Sequence, residues 1–222
     1  MATKNAINNT SNPLASTAVT IDPGSSGDSY IQYNINTTGE WRVGADDDAG
    51  DSYKISQGSA LGTTDTFIMT DAGERTLPLT PAFLGWMNVA NPSQTGNGAT
   101  STMGTVVATL EVFDQGGDYV TSGTFTAPIT GRYLMHTSSR WSTGLVAATN
   151  IVHSLVTSNR TYMCSMGRVA SDKALGRTYS VLADFDVGDT AVTTSVITGE
   201  TGNIDGTSAG GSGTYMAGHL VC

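Results

Sequence analysis

The sequence predicts an all-β protein, and three observations carry that prediction. The chain has 222 residues, of which 27 are glycine and only 13% are charged. Such a composition is poor in helix formers and rich in turn formers and β-branched residues. Short runs of alternating apolar and polar residues recur along the chain, and no stretch combines helical periodicity with helix caps. We therefore expect short strands joined by turns rather than a helical bundle.

The first 27 residues are polar and rich in Asn, Thr, Ser and Gly, and they end in the turn-forming sequence D-P-G-S-S-G. Such a stretch buries too little apolar surface to fold alone, so it is either a floppy end or a segment that orders against a partner. It has no apolar core of the kind found in secretory signals. We interpret residues 1–27 as an attachment segment.

Residues 28–80 predict a small β-rich module. Four short runs alternate apolar with polar residues, and their apolar members are Ile31, Tyr33 and Ile35, then Trp41 and Val43, then Tyr53 and Ile55, then Phe67 and Met69. This is the period of half-buried strands separated by turns. About 50 residues is small for an independent core. We therefore expect neighbouring copies of the chain to stabilise this stalk module.

Residues 81–222 form the largest zone, with six strand-like runs separated by loops. The longest loops are rich in small polar residues and are expected at residues 91–104, 165–176 and 199–213. Many short strands at this spacing over about 140 residues are typical of a β-sandwich or jelly roll.

One segment of this zone carries a family resemblance. Residues 123–135 read G-T-F-T-A-P-I-T-G-R-Y-L-M, which resembles the G-x-F-x-x-P-x-x-G-x-Y-x-F signature of complement C1q-like domains. Residues 111–117, 187–192 and 215–220 resemble other strands and turns of that family in the same order. Met135 replaces a Phe of the pattern, and His219 stands where an apolar residue is usual.

The resemblance implies a ten-stranded, homotrimeric jelly roll of the tumour-necrosis-factor and C1q superfamily over residues 81–222. No Gly-X-Y repeat precedes it. Residues 30–77 instead resemble the β-rich modules of bacteriophage and other viral fibre proteins, through residues 39–44 and 59–65. The expected order is thus attachment segment, stalk module and C1q-like head.

The motifs of enzymes and cofactor sites are weak. Residues 206–210 match the G-x-S-x-G pattern around Ser208, but a hydrolase elbow needs an acid and then a histidine later in the chain, and no acid follows. The sequence has no P-loop, dinucleotide fingerprint, H-E-x-x-H or C-x-x-C motif. We expect no enzymatic activity and no cofactor.

Metal binding and disulfide formation have equally little support. The three histidines, His136, His153 and His219, lie in strand-like runs without ligand-spaced neighbours. The run 46–48 with Asp51 reads as an exposed acidic turn, with calcium binding as the alternative. Cys164 and Cys222 form no disulfide framework, although one late bridge remains open. We predict no metal site.

Binding residues are expected at loop tips, because loops on a rigid scaffold carry most recognition. The candidates in this chain are Trp141, Asn97, Asp172, Asn203 and Asp205. For Trp141 the alternative is a core or trimer-interface position. A formal net charge of −9 argues against nucleic acid or an anionic membrane as a partner, and no apolar run reaches the length of a membrane span.

The function expected from these features is structural. The chain reads as a non-enzymatic homotrimeric virion protein, a phage fibre or spike on the particle surface that is assembled in the host cytoplasm. Its first segment would bind other virion proteins, and its head would adhere to a host glycan or protein. The alternatives are a trimeric capsid decoration protein without receptor binding and a bacterial surface C1q-like lectin.

Overall fold

A computed structural model describes residues 21, 27–35, 39–87, 89, 91–105, 108–141, 145–167, 174–200, 203–206 and 213–222. The chain divides into two compact units, Met1–Pro78 and Leu79–Cys222. Strands dominate both units, and the one helical element among the described residues is the short 3-10 turn Asp47–Ala49. The all-β class is confirmed.

The first unit contains one antiparallel sheet of five strands in sequence order, which we call the module. The strands are β1 (Ser29–Ile35), β2 (Gly39–Asp46), β3 (Ser52–Gln57), β4 (Asp65–Met69) and β5 (Arg75–Thr76). The four alternating runs of the sequence therefore form β1 to β4. Each strand pairs with the next one along the chain, to which a short connection joins it.

One face of the module carries charged residues that the protein itself buries. The Lys54 ammonium lies 2.7 Å from Asp46 Oδ2 and 3.3 Å from Asp65 Oδ2, with all three side chains at most a tenth exposed. Burial alone would lower the pKa of Lys54, but its hydrogen bonds with both carboxylates outweigh that effect and raise the pKa. We call this side of the sheet the charged face.

The loop between β3 and β4 covers the charged face. The Ser56 hydroxyl donates to Asp65 Oδ1 at 2.5 Å and accepts from the Gly62 N–H at 3.2 Å. Gly62 has a φ of 82°, and a Cβ at this position would lie 2.4 Å from Asp46 Oδ2. Both the backbone conformation and the close approach therefore require glycine here.

The second unit, which we call the head, consists of two antiparallel sheets. Its strands are β6 (Ala82–Trp86), β7 (Asn91–Thr95), β8 (Thr100–Thr102), β9 (Leu110–Asp114), β10 (Tyr119–Val120), β11 (Thr124–Thr126), β12 (Gly131–Trp141), β13 (Asn150–Thr157), β14 (Thr161–Met166), β15 (Leu175–Phe185), β16 (Thr190–Thr198), β17 (Asn203–Gly206) and β18 (Tyr215–Leu220).

The two sheets have a jelly-roll order. The first runs β9-β6-β18-β12-β15, with β17 and β7 added beside the end of β12, and the second runs β10-β11-β16-β13-β14, with β8 beside β16. From β11 onward the chain repeatedly crosses between the sheets, so that β12 and β15 lie in one sheet and β13, β14 and β16 in the other. The predicted C1q/TNF-like jelly roll is confirmed, but the described head has thirteen strands rather than the ten that the resemblance implied.

Aromatic side chains fill the main core between the sheets. Phe125 is fully buried and stacks on Phe83 with ring centroids 4.6 Å apart. The same ring lies 5.4 Å from Tyr133 and 5.8 Å, edge-on, from Phe185. The Tyr133 hydroxyl donates to the Ile129 carbonyl at 2.8 Å, which satisfies its polar end. The Phe and Tyr of the sequence signature thus meet in the core, as expected.

The loops expected at 91–104 and 199–213 are partly wrong, because they contain β7, β8 and β17. These strands are short and polar, so they show no alternation of apolar residues in the sequence. Gln94 in β7 is buried and its amide donates to the Ser195 hydroxyl at 2.7 Å. Hydrogen bonding rather than apolar burial holds this strand against the sandwich.

Phe125→Ala tests the aromatic core. Losing a fully buried ring that touches three other rings should lower the free energy of unfolding by about 3–5 kcal/mol. Urea denaturation at a fixed protein concentration measures this loss. The control Val120→Ala removes a side chain that is half exposed and should change stability by no more than about 0.5 kcal/mol. Equal, small effects of both changes would show that the core is not organised around Phe125.

Candidate functional site

The head has two distinguishable ends. The chain enters at residues 79–82, where the Leu220 N–H donates to the Pro81 carbonyl at 3.0 Å, and Arg132 at the start of β12 donates its N–H to the Cys222 carbonyl at 2.6 Å. We call this the proximal end. The eleven residues of β12 run from here to Trp141, which marks the distal end.

A second, smaller core lies at the distal end. It is made of buried side chains from both sheets and their connections, with two partly buried residues packed against it: Trp141, Leu145, Ala148, Ile151, Ile197, Ile204, Met166 and Leu175. Met166 and Leu175 end β14 and begin β15, and Ile197 and Ile204 lie on either side of residues 199–203. Two of the candidate loops are therefore anchored on this core.

The third candidate loop joins them through backbone hydrogen bonds. The Gly98 N–H donates to the Ile197 carbonyl at 2.8 Å, and the Glu200 N–H donates to the Gly96 carbonyl at 3.1 Å. Glu200 also accepts a hydrogen bond from the Ala147 N–H through its carboxylate. The structure thus gathers the flanks of all three predicted loops at the distal end, which the sequence did not establish.

The candidate binding residues have different positions in this arrangement. Asn97 is exposed in the turn 96–98, where its side-chain oxygen accepts from the Thr95 hydroxyl at 2.7 Å and the Ala99 N–H at 3.1 Å. Asn203 lies in β17 opposite Thr95, and Asp205 lies in the same strand at a register shift. Asp172 lies outside the described residues.

Trp141 does not stand at a loop tip. Its side chain is 1% exposed in the distal core, against Leu145 and Ile204. The sequence suggested exposure because Trp141 ends a strand beside small polar residues, but β12 and β17 pair at this point and enclose the ring. The expectation of an exposed tryptophan is corrected in favour of the core alternative.

A second candidate surface was missed in the sequence. It is a groove of about 640 Å³ on the side of the β9-β6-β18-β12-β15 sheet that faces away from the core, and its lining residues are Leu84, Trp86, Val112, His136, Tyr215 and Ala217. We call it the outer face. The strand register places Leu84 opposite Ala217 and Ala217 opposite His136, while Trp86 lies opposite Tyr215.

The residues that line the outer face are aliphatic or aromatic, with His136 and the Tyr215 hydroxyl as its polar groups. Its lining contains no carboxylate, lysine or arginine. The His136 Nδ1 atom is 2.7 Å from the Ser180 hydroxyl. Val112, at the edge, is 56% exposed. The signal for this surface was present in β6, where Phe83 and Gly85 face the core while Leu84 and Trp86 point outward, so both faces of the strand carry large apolar residues.

A polar layer separates the two cores of the head. The fully buried His153 ring contacts the Ser139 hydroxyl through Nδ1 at 2.9 Å and the Thr137 hydroxyl through Nε2 at 3.2 Å. Thr137 in turn lies 2.7 Å from the Thr193 hydroxyl. Burial lowers the pKa of His153 to about 4, so the ring is neutral at pH 7.

Tyr179 extends this polar layer. Its ring meets His153 edge-on at 5.3 Å, and its hydroxyl donates to the Tyr162 carbonyl at 2.8 Å and accepts from the Leu155 N–H. Burial raises the pKa of Tyr179 to about 12. The layer is a fully hydrogen-bonded structural element.

The acidic turn has structural contacts. Asp46 is paired with Lys54, Asp47 Oδ2 accepts from the Gly27 N–H at 3.3 Å, and the Asp47 N–H donates to Asp28 Oδ1 at 3.1 Å.

Across the described residues no three His, Cys, Asp or Glu side chains converge as a metal site. Cys164 and Cys222 are free thiols. No helix in the described part of the chain is long and apolar enough to span a membrane.

No protein-family model and no curated protein matches this chain. Among solved structures, the globular domain of zebrafish complement 1qA is 14% identical, with a TM-score of 0.41 over 64% of this chain and 98% of that chain. Murine APRIL is 9% identical, with a TM-score of 0.45 over 64% of this chain and 99% of that chain. The PRD1 vertex protein P5 is 12% identical, with a TM-score of 0.47 over 71% and 83% of the two chains. The two-sheet strand order of the head is that of a jelly roll.

The buried histidine predicts a pH-dependent stability. A histidine in the unfolded chain has a pKa near 6.5, whereas His153 in the folded head has a pKa of about 4. The folded state therefore binds fewer protons, so the stability is complete above pH 6.5 and falls as the pH drops from 6.5 towards 4. Between pH 7.5 and 5.5 this amounts to about 1.4 kcal/mol.

Urea denaturation at the two pH values measures the effect, with His153→Gln as the variant that removes it and His219→Gln, an exposed position, as the control that retains it. If His153→Gln does not fold, NMR titration of the unmodified protein gives the same information. Protonation of the His153 ring near pH 6.5 in the folded protein would contradict the burial argument.

Proposed function

We propose that this chain is a non-enzymatic structural protein of a virus particle that works as a homotrimer and displays its jelly-roll head for adhesion to a host surface. The observation that carries the proposal is the apolar outer face of the head, which the described residues leave uncovered. A sheet in a monomer buries one face and leaves the other polar. Here the second face presents Leu84, Trp86, Tyr215 and Ala217 in a groove without a charged lining residue.

The trimer accounts for this face because it supplies a cover. Exposed apolar patches of this kind mark association surfaces in proteins that otherwise keep polar exteriors. The resemblance of residues 81–222 to C1q-like domains implies threefold assembly. The outer face is central to its sheet, since it spans β6, β18 and β12, so a partner seated there would bury these side chains together.

Structural rather than catalytic function is supported by the chemistry of the described residues. Two Ser–His contacts occur among them, Ser139 with His153 and Ser180 with His136. Both contacts use Nδ1, the atom that a triad reserves for a carboxylate partner, and the first is also buried. The described side chains hold neither histidine against an acid, so neither pair forms a hydrolase triad.

The adhesive site is proposed at the distal end. Because the chain enters the head at the proximal end, attachment through residues 1–27 favours presentation of the opposite end of the head. Asn97, Asp172, Asn203 and Asp205 are the proposed contact residues. Three copies in one particle protein, repeated over the virion, would raise weak single contacts to a useful avidity.

Ala217→Glu tests the trimer. This change places a carboxylate on the outer face between Leu84 and His136, where three copies would have to bury it, so native mass spectrometry should show monomers. The matched control is Met163→Glu, because Met163 lies in β14 of the other sheet and its side chain is 66% exposed. The control should remain a trimer. A parent chain that is already a folded monomer at micromolar concentration would refute the proposal.

Loop replacement tests adhesion against capsid decoration. Replacing residues 168–173 and the turn 96–98 with Gly/Ser linkers of equal length should weaken binding of the trimer to host cells, because Asn97 and Asp172, two of the four proposed contact residues, are removed. The control replaces residues 187–188, a turn whose neighbour Ala127 lies near the proximal end. Unchanged cell binding by trimers with both distal replacements would favour the decoration protein.

A further inference from the structure

The sheet of the module has an apolar face that the described residues leave open. Residues directly opposite each other in the antiparallel register share one side of the sheet, and this places two rows side by side on the face away from the charges: Ile31, Val43, Ile55 and Phe67, then Tyr33 and Trp41. We call these six residues the apolar face. Ile31 is 47% and Tyr33 is 54% exposed.

The chain has already used the other face for its own packing. Lys54, Asp46 and Asp65 form a buried ionic cluster there, and the loop carrying Leu61 and Gly62 closes over it. Placing charges inside and apolar side chains outside is the reverse of the arrangement expected in a monomer. Packing the loop against the apolar side of the sheet instead would not remove this conflict, because Lys54, Asp46 and Asp65 would then lose the loop that covers them.

We propose that the apolar face binds two further copies of this chain, so that three modules enclose a shared apolar core. This rests on the trimer proposed for the head. The module ends at Pro78 and the head begins at Leu79. A trimeric head therefore holds three modules on short tethers, at an effective concentration on the order of millimolar.

The charge distribution fits a copy of the same chain. The protein carries a formal net charge of −9, so surfaces with carboxylates would repel each other. The carboxylates of β2 to β4, Glu40, Asp46 and Asp65, alternate in register with the apolar rows and lie on the opposite side of the sheet. Two apolar faces can meet without burying a negative charge.

The size of the face sets the order of assembly. Four strands about 4.8 Å apart and about five residues long cover roughly 19 by 17 Å, or roughly 300 Å². A stable interface buries about 800 Å² on each partner. The apolar face alone is therefore too small to hold the trimer, and it closes only after the heads have brought the modules together.

Cysteine labelling tests the proposal in the full-length chain. In a Cys164→Ser, Cys222→Ser background, Tyr33→Cys places a thiol on the apolar face and Asn34→Cys places one on the exposed opposite side of the same strand. In the trimer, a maleimide should modify Tyr33→Cys at least tenfold more slowly than Asn34→Cys. Adding Ala217→Glu, which separates the heads, should make the two rates equal.

Each alternative outcome has a distinct meaning. Equal labelling rates in a protein that native mass shows to be trimeric would overturn the apolar-face proposal and leave the head trimer intact. A monomeric parent chain would refute the trimer itself. Slow labelling of Tyr33→Cys in the Ala217→Glu monomer would mean that the chain's own residues cover the face, which also overturns the proposal.

Discussion

The sheet of the module and one sheet of the head each have two faces, and the described residues cover only one of them. In the head, the inner faces of two sheets enclose Phe83, Phe125 and Tyr133, while the outer face exposes a second set of apolar side chains. In the module, the covered side is the charged one and the open side is apolar. Contiguous apolar patches on a protein surface often mark sites of association.

The two apolar faces belong to units that differ in internal stability. The outer face of the head lies on a sandwich with its own large aromatic core, so the head has internal stability before it associates. The module is a single sheet whose covered side is held by Lys54, Asp46 and Asp65. Buried ion pairs contribute little net stability once desolvation is counted. In the proposed trimer, the module would therefore depend on association more strongly than the head does.

The sequence predicted the parts of the fold where apolar residues alternate with polar ones. Ile31, Tyr33 and Ile35 gave β1, and Phe125 and Tyr133 identified the core of the head through a family signature. Polar strands gave no such signal: β7 is held by the buried amide of Gln94, a contact that depends on a residue about a hundred positions away. For Trp141 the sequence left both a loop tip and a core position open, since its packing with Ile204 in β17 depends on a residue that is distant in sequence.

The candidate functional surfaces, like the strands, were predictable only where the local sequence carries a signal. Loop positions such as Asn97 were found from composition, but their convergence at the distal end depends on hydrogen bonds between Gly96 and Glu200 and between Gly98 and Ile197. The outer face was missed because a strand with apolar residues on both sides, such as β6, reads simply as a buried strand. Only the three-dimensional structure shows that the described residues leave one of these sides uncovered.

Sedimentation equilibrium of the intact chain at micromolar concentration tests the central claim most directly, because it reports how many copies share these faces. The account predicts a single species of about 69 kDa, three times the 22.9 kDa of one chain, which persists on dilution as expected for a large apolar interface. A folded species of 22.9 kDa over the same concentration range would contradict it.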